Sequence, residues 1–435
     1  MVQPSSLAMC YLRWFIPFIL TVIANCASAK DNIRDSVKLK LVYRIQSKNA
    51  KSKLIEDVYD PSIYSPKSVL ILEKKSPKKE KILYINNLEG HNTAVYSLTD
   101  TLKKITNIRH SFDDHNAGLF TDSVFPGYTY VDSAVNVNVF HGKPVEMCLS
   151  NDDKFLWIPY YRRSFDKKSV DPSALALIDV ETNSIVRVFP TAPLPKMVAS
   201  SNDNKYVAVT NWGDNTVHLM DVSSGNPMLF KYSNNFVVDS QLKMNFKEGV
   251  NRDNDCGFCL RGTTFTPDSK HLLVSRMGGG GIAVFDMDEK KYEGTVFGTK
   301  DNIRHIVIDH GFLYLSSNLD GHIQQASLDD FLNSVHKKKK QKYFGKWRDV
   351  FTGHGARTFC LNSTGEYLFA TANIESKISI VRTSDMTKIG EVATDSYPVG
   401  MAIDSEDKYL IVTAQGKKGV GGNCVSIYKI TIPTE

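Results

Sequence analysis

The sequence predicts an all-β fold, a seven-bladed β-propeller of four-stranded antiparallel blades that the N-terminal strand closes by pairing with the last blade. Three observations support this prediction. Pairs of short apolar strands recur at one spacing, a third strand follows each pair, and an unpaired strand precedes the first unit. The chain has 435 residues, which is too long for one ordinary domain unless the fold is repetitive.

The recurring pair of strands appears in five closely matched segments. In each, a short apolar strand, a polar turn and a second strand follow one another, and the second strand starts 11 positions after the residue ahead of the first. These segments are KPVEMCLSNDDKFLWIPYY, PLPKMVASSNDNKYVAVTNW, LRGTTFTPDSKHLLVSRM, ARTFCLNSTGEYLFATAN and YPVGMAIDSEDKYLIVTAQ. A shorter copy begins at Ile303 and a degenerate one at Pro66. Repeats with a period of about 40 residues indicate propellers or solenoids, so these copies predict seven units.

A third strand follows in every unit, and a fourth usually follows it, as in IVRVFP. The third strands read TAVYSL, LALIDV, TVHLMDV, GIAVFDM, HIQQASL, KISIVRT and CVSIYKI. The last unit lacks a fourth strand, because only TIPTE remains after CVSIYKI. The orphan strand LVYRIQS, Leu41 to Ser47, is therefore predicted to pair with the last blade and to remove an exposed sheet edge.

The N-terminus has the pattern of a secretory signal. Arg13 precedes an apolar run, and the small residues Ala27, Ser28 and Ala29 come just before Lys30. We therefore predict a signal peptide over residues 1–29 and an exported protein that is periplasmic, at the cell surface or secreted. A membrane anchor is the alternative, but the run is short and Pro17 interrupts it. No later stretch is long and apolar enough to span a bilayer.

Residues 30–435 then form a single propeller domain with three insertions, near 109–141, 234–259 and 329–348. Long loops in a compact fold are usually functional or loosely ordered. The second insertion contains CGFC, Cys256 to Cys259, for which a local disulfide or two buried thiols is favoured over a redox pair or half a zinc site. The third contains the run Lys337 to Lys342, which we interpret as a solvated loop tip rather than an anion-binding segment.

The residue that opens each first strand suggests a binding site. In a propeller this strand lines the central channel. The seven opening residues are Lys67, Val145, Lys196, Arg261, Arg304, Arg357 and Val399, and all except the two valines are cationic. The same face is expected to carry His305, His354, Arg276 and Trp212. Converging arginines suit a carboxylate or phosphate through bidentate hydrogen bonds. The alternative is that each arginine pairs with an Asp or a carbonyl group of the adjacent blade.

The segment KYVAVTNWGDNTVHLMDV resembles the YVTN-type repeat of bacterial β-propellers, with its YVTN-like strand, short loop and V-x-V-x-D-like strand. The resemblance extends from Leu41 to Ile430 and departs from the pattern in blade 1, in blade 5 and in the insertions. It implies the propeller fold and exported location, but the family mostly lacks an assigned chemistry. Propellers that look like this one include lactonases and cofactor-dependent oxidoreductases.

Two classes of function remain open. The first is a binding or interaction module that holds a small anionic ligand or an acidic protein partner in a cationic central pocket. The second is a propeller enzyme, although neither G-x-S-x-G nor H-E-x-x-H nor evident paired carboxylates occur. The net charge of +6 is modest and does not indicate nucleic acid. We expect a monomer, and the sequence identifies no catalytic residue, cofactor or metal ligand.

Overall fold

The computed structural model describes residues 37–48, 56–74, 80–121, 127–130, 135–242, 250–336, 342–417 and 421–433. The chain divides into two units. One comprises residues Leu39–Ile430, and the other comprises Met1–Lys38 and Thr431–Glu435, of which only residues 37, 38 and 431–433 are described. The predicted signal peptide and most of the lysine run lie outside the described residues.

Residues Leu39–Ile430 form the predicted seven-bladed propeller, with the blades numbered along the chain and their strands mostly antiparallel. Blade 1 contains the strands Pro66–Glu73, Lys81–Asn87, Asn92–Leu98 and Leu102–Arg109. Blade 2 contains Ser111–Phe112, Phe140–Pro144, Cys148–Ser150, Phe155–Arg163, Ala174–Asp179 and Ser184–Pro190. Blade 3 contains Pro195–Ser200, Tyr206–Asn211, Thr216–Asp221 and Lys231–Val237. Blade 4 contains the strands Leu260–Phe265, His271–Arg276, Ile282–Asp286, Lys291–Phe297 and Lys342–Tyr343. Blade 5 contains Ile303–Asp309, Phe312–Ser317, His322–Ser327 and Arg348–Phe351. Blade 6 contains Ala356–Leu361, Tyr367–Ala372, Lys377–Arg382 and Thr387–Ala393.

Blade 7 closes the ring as the sequence predicts. Its sheet has the order Pro398–Ile403, Tyr409–Ala414, Cys424–Thr431, Lys38–Gln46 and Glu56–Tyr59 in space, from first strand to last. The N-terminal strand therefore supplies the fourth strand, beginning at Lys38 rather than at Leu41. The additional strand Glu56–Tyr59 runs parallel to it. This outer strand covers an edge that the N-terminal strand would otherwise expose.

The hydrophobic core lies in layers between neighbouring blades. Alternate side chains of each strand point to opposite faces of its sheet, so each blade packs against two neighbours. In the layer between blades 7 and 1, Ile45 and Ile411 pack with Leu83 and Tyr96, and all four are buried. The N-terminal strand thus contributes core packing as well as sheet pairing.

The polar turns between first and second strands are held by their own side chains. In blade 3, Ser201 Oγ donates to Asp203 Oδ1 at 2.7 Å, and the Lys205 backbone N–H donates to the same oxygen at 3.1 Å. The Asp203 N–H donates to Ser269 Oγ of blade 4 at 3.2 Å. The recurrent Ser and Asp residues of the turns therefore fix the turn and join adjacent blades.

The described parts of the insertions contain more regular structure than the sequence predicts. The first includes a 3-10 helix, Asp114–Leu119, and a second 3-10 helix, Pro227–Leu229, lies in blade 3. The strand Lys231–Val237 extends into the range expected for the second insertion, because its residues complete the hydrogen bonding of blade 3. The third insertion includes the α-helix Leu328–Val335.

That helix covers the outside of blades 4 and 5. Phe331 and Val335 are buried, and the Phe331 ring lies 5.7 Å from the Phe344 ring and 6.1 Å from the Trp347 ring. The insertion is therefore anchored by an aromatic cluster on the blade surface. Among the described residues, no helix has the length and apolar character required to cross a membrane.

Candidate functional site

The first strands of neighbouring blades contact one another and surround the central channel. Near the start of this strand, the pairing with the second strand slips in six blades. In blade 3, Pro195 pairs with Asn211 and Met197 pairs with Thr210, so Lys196 has no partner across the sheet. Such a β-bulge bends its strand and changes the direction of a side chain. Lys67, Arg261, Arg304, Arg357 and Val399 lie in the corresponding slips.

A residue with a left-handed backbone directly precedes each of these six strands. The residues and their φ angles are Ser65 at 54°, Leu194 at 53°, Cys259 at 49°, Asn302 at 59°, Gly355 at 83° and Tyr397 at 59°. A positive φ is uncommon for residues other than glycine. Its recurrence shows that the blades share one backbone geometry at this point, whatever side chain occupies it.

The geometry brings five cations together, and we call Lys67, Lys196, Arg261, Arg304 and Arg357 the cationic ring. Burial lowers the pKa of Lys196 well below its usual range, and the positive charges of Arg261, Arg304 and Arg357 lower it further. Burial is also the largest cause of the lowered pKa of Lys67, followed by the charges of Arg357 and Arg261. The positive charges of arginines in several other blades therefore lower the pKa of each lysine.

The arginines of the cationic ring also affect one another. Burial lowers the pKa of Arg304 to about 8, with further lowering by Arg357 and Arg261. Burial and the charge of Arg261 lower the pKa of Arg357 to about 10. Arg261 and Arg357 are buried, whereas Arg304 and Lys196 keep part of their surface accessible while other protein atoms surround them. The ring thus keeps some contact with solvent at Arg304 and Lys196, and we call this partly accessible place the recess.

Negative charge near the cationic ring is scarce. Arg261 Nη2 lies 3.5 Å from Glu146 Oε1. Among the described residues, Glu146 is the one carboxylate found among the main electrostatic influences on the five cations. Arg357 donates a hydrogen bond to the Tyr397 hydroxyl, but its Nε has no hydrogen-bond partner among the residues that the structure describes. Five cations therefore surround one carboxylate.

Two aromatic rings hold Lys196. Its Nζ lies 3.6 Å from the centre of the Tyr161 ring and 4.6 Å from that of Trp212. Such positions allow cation–π attraction. The Trp212 indole is buried, and its Nε1 has no hydrogen-bond partner within the described part of the chain. The aromatic wall is part of the recess, and it packs against the disulfide between Cys256 and Cys259.

The remaining residues expected at this face have different surroundings. The pKa of His305 is lowered to about 4 by burial and then by the charge of Arg261, so its imidazole belongs to the recess. Arg276 instead lies 2.7 Å from Asp239 Oδ2 and stacks on the Phe258 ring at 3.8 Å. The exposed His354 lies 5.3 Å from the Phe351 ring. The structure does not bring Arg276 and His354 into the cationic ring.

Three contributors escaped the sequence analysis. Glu146 follows Val145, which opens the first strand of blade 2, and this adjacency was a usable signal. Tyr397 precedes the first strand of blade 7, and Tyr161 lies near the end of the second strand of blade 2. Tyr161 occupies the position in blade 2 that Trp212 occupies in blade 3, so this aromatic pair was also a usable signal, whereas the position of Tyr397 carries unrelated residues in other blades.

A separate cavity lies among the turns of the blades. Its volume is about 850 Å³, and residues of blades 1 to 3 line it, including Asp152, Asn204 and Lys154. Its polar groups bond to one another, as when Asn204 Nδ2 donates to Asp152 Oδ1 at 3.0 Å. Since these groups serve the turns, we place the candidate site at the cationic ring on the grounds of charge. Within the described ranges, no cluster of three or more His, Cys, Asp or Glu residues is arranged to hold a metal ion.

The fold is that of a seven-bladed β-propeller, and the first strands of its blades carry the candidate site. The family model described as "Lactonase, 7-bladed beta-propeller" matches residues 147–431, more than half of the 435-residue chain. The chain therefore belongs to this family of seven-bladed propellers. The narrower YVTN-type resemblance stays a prediction. No curated protein matches the chain.

Solved structures share the fold at low sequence identity. Hydrazine synthase of Kuenenia stuttgartiensis has a TM-score of 0.56 at 11% identity, with 89% of this chain and 99% of that chain covered. The β-propeller domain of Cps50 (Swd1) from Myceliophteria thermophila has a TM-score of 0.55 at 11% identity, with 84% and 97% covered. At this identity the likeness concerns the fold alone.

Proposed function

We propose that this protein is a binding module whose cationic ring holds a small anionic ligand or an acidic side chain of a partner. The observation that supports this proposal is the excess of cations over carboxylates at one buried place. Burying a charge without a counter-charge is costly. Because Glu146 is the one carboxylate of the described residues that acts on the five cations, an anion would offset a cost that these residues leave uncompensated.

The preferred anion is a carboxylate or a phosphate. Guanidinium groups bind both through paired hydrogen bonds, and Arg261, Arg304 and Arg357 supply three of them. Lys196 and its aromatic wall of Tyr161 and Trp212 form a flatter side of the recess. A ligand with an anionic group and a planar or apolar portion would use both sides.

Calorimetric titration tests this proposal. We expect the mature protein to bind citrate or inorganic phosphate at constant ionic strength, and we expect the Arg304→Ala, Arg357→Ala double variant to lose at least 90% of the affinity, about ten-fold or 1.4 kcal/mol. The matched control is the Arg109→Ala, Arg382→Ala variant, which removes two exposed arginines. Equal binding by the native protein and the double variant would contradict the proposal, as would no binding of either anion.

Hydrolysis of a lactone is the second candidate function, and it combines family membership with one feature of the recess. Glu146 lies beside Arg261, and the lowered pKa of His305, about 4, leaves its imidazole neutral at pH 7. A carboxylate or a neutral imidazole can act as a general base for water, while an arginine can stabilise a developing oxyanion.

Glu146→Gln separates the two functions. If the recess only binds anions, removal of the carboxylate strengthens citrate binding because one repulsive charge is lost. If Glu146 is the base, the same change abolishes hydrolysis of glucono-δ-lactone by the native protein. Absence of hydrolysis by the native protein would remove support from this second candidate.

We also propose that the protein is exported. The three-part pattern of residues 1–29 supports removal of a signal peptide and a mature chain that starts at or near Lys30. Mass spectrometry of the native protein measures its first residue directly. A soluble cytosolic form that retains residues 1–29 would contradict export.

A further inference from the structure

Three large apolar side chains are exposed on the loops of blades 5 and 6. The exposed fraction is 69% for Leu319, 59% for Ile374 and 41% for Phe351. We call these three residues the apolar patch. Leu319 and Ile374 lie between the second and third strands of their blades, and Phe351 ends the fourth strand of blade 5. These loops are on the face where the first strands begin, which is also the face of the cationic ring.

Backbone hydrogen bonds place the apolar patch beside the cationic ring. The Gly355 N–H donates to the carbonyl of Asn318 at 3.2 Å, and the Asn373 N–H donates to the carbonyl of Gly355 at 3.0 Å. Asn318 and Asn373 directly precede Leu319 and Ile374, and Gly355 is two residues before Arg357. The patch thus adjoins the part of the recess that Arg357 forms.

Side chains of blade 5 hold the backbone of blade 6 at Arg357 by hydrogen bonds. Ser316 Oγ donates to the Arg357 carbonyl at 2.5 Å, and Asn318 Nδ2 donates to the Ala356 carbonyl at 3.1 Å. Arg304 opens the first strand of blade 5, so it is the neighbour of Arg357 around the channel. The hydrogen bonds between blades 5 and 6 therefore hold Arg357 and the apolar patch next to each other.

Acidic side chains lie among the same loops. Asp320 Oδ2 accepts a hydrogen bond from the Asp301 N–H at 3.2 Å, and Glu375 Oε1 accepts one from the His354 N–H at 2.7 Å. These carboxylates follow Leu319 and Ile374 in sequence. They would repel further negative charge just outside the recess. The arrangement favours one acidic group in the recess with apolar groups next to it over a polyacidic ligand.

We propose that the occupant of the cationic ring is a single Asp or Glu side chain from a segment of a partner protein, and that apolar residues on each side of it contact the apolar patch. This proposal rests on the proposed function and specifies its ligand. An extended segment advances about 3.3 Å per residue, so the residues next to the acidic one can reach the loops. Charge complementarity at the ring sets the register, and apolar contact adds affinity.

Three blocked tripeptides test this proposal by calorimetry on the full mature protein. The peptides are acetyl-Leu-Glu-Leu-amide, acetyl-Ser-Glu-Ser-amide and acetyl-Leu-Gln-Leu-amide, with citrate as a separate probe of the recess. We expect the first peptide to bind about ten-fold more tightly than the second. The third peptide, which lacks the carboxylate, is expected not to bind.

Two surface variants locate the apolar contact. Leu319→Ser with Ile374→Ser should abolish the preference for leucine and leave citrate binding unchanged. Met228→Ser with Leu229→Ser is the matched control, because these residues are 69% and 62% exposed in the turn between the third and fourth strands of blade 3. The control should keep the ten-fold preference.

The outcomes distinguish this inference from the proposed function. Citrate binding without any peptide binding, or equal binding of the two glutamate peptides, would overturn the docking proposal and leave the anion site intact. A leucine preference that survives Leu319→Ser with Ile374→Ser would also overturn it. If neither citrate nor the glutamate peptides bind, both proposals fail.

Discussion

Buried arginines occur in two kinds of surroundings in this propeller. Arg163 is 1% exposed, and it donates hydrogen bonds to the carbonyls of Val137 and Ser173. Its guanidinium also lies 4.7 Å from the centre of the Phe140 ring. Arg357 of the cationic ring is 6% exposed, yet the other two arginines and the two lysines of the ring act on it only as repelling charges.

The contrast shows that burial alone does not mark a functional arginine. Burial lowers the pKa of Arg163 and that of Arg357 to about 10 in each case. The partners distinguish the two sites: Arg163 has carbonyl groups and aromatic rings, and Arg276 has Asp239 and Thr295. The cationic ring has Glu146 for five cations. Structural arginines should therefore stabilise the fold, whereas those of the ring should reduce its stability until an anion binds.

The largest expected effect concerns a structural arginine. Arg163→Ala removes a buried side chain together with its hydrogen bonds to the Val137 and Ser173 carbonyls, so we expect a loss of about 3–5 kcal/mol in the free energy of unfolding. Urea denaturation measures this loss. The control, Arg382→Ala, removes an exposed ion pair with Asp385 and should cost about 0–1 kcal/mol. A loss no greater than that of the control would contradict the claim that Arg163 is a structural arginine.

The second effect is stabilisation of the ring by an anion. Citrate at 100 times its dissociation constant should raise the free energy of unfolding by about 2.7 kcal/mol. The increase should disappear in the Arg304→Ala, Arg357→Ala variant and persist in Arg163→Ala. Equal stabilisation of all three proteins would show that citrate acts through general exclusion from protein surfaces, not through the recess.

The third effect has the opposite sign to the first. Without ligand, Arg304→Gln removes an uncompensated charge from the recess, and we expect it to leave the free energy of unfolding unchanged or to raise it by about 1 kcal/mol. Denaturation in urea in chloride buffer checks the sign. A loss approaching that of Arg163→Ala would mean that Arg304 is a structural arginine.

The smallest effect is a dependence on pH. The pKa of Arg304, about 8, lies below its ordinary value of 12.5, so the folded protein binds fewer protons than the unfolded chain between these values. The free energy of unfolding of the unliganded protein should then increase with pH above about 8. Any advantage of Arg304→Gln over the native protein should shrink between pH 8 and pH 10. An advantage that widens over this range would contradict the pKa shift.

Much of the fold was predictable from the sequence because the propeller repeats its pattern. The five matched segments fix the first two strands of their blades, and the orphan strand at Leu41 to Ser47 predicts the closure, which is confirmed. The positions of the five cations at the start of the first strands were also readable. The β-bulges that place Lys196 and its counterparts were not, since a lysine or arginine near the start of a strand does not by itself indicate a slip in the strand pairing.

The partners of each arginine were beyond the reach of the repeat pattern. Arg276 ends the second strand of blade 4 and was expected at the recess, but Asp239, from the connection after blade 3, pairs with it. The path of that connection follows no periodic signal. Glu146 lies within a matched segment of blade 2, but the spacing of the repeat does not show that it faces Arg261 of blade 4.

Anomalous diffraction from crystals soaked in selenate tests the central claim most directly, because it compares the cationic ring with Arg276 in one experiment. The account predicts a selenium peak within hydrogen-bonding distance of Arg304 and Arg357, and no peak at Arg276, whose guanidinium already faces Asp239 at 2.7 Å. The peak should vanish in crystals of the Arg304→Ala, Arg357→Ala variant. A native recess without selenium, or a peak that persists in the variant, would contradict the claim that the ring is built for an anion.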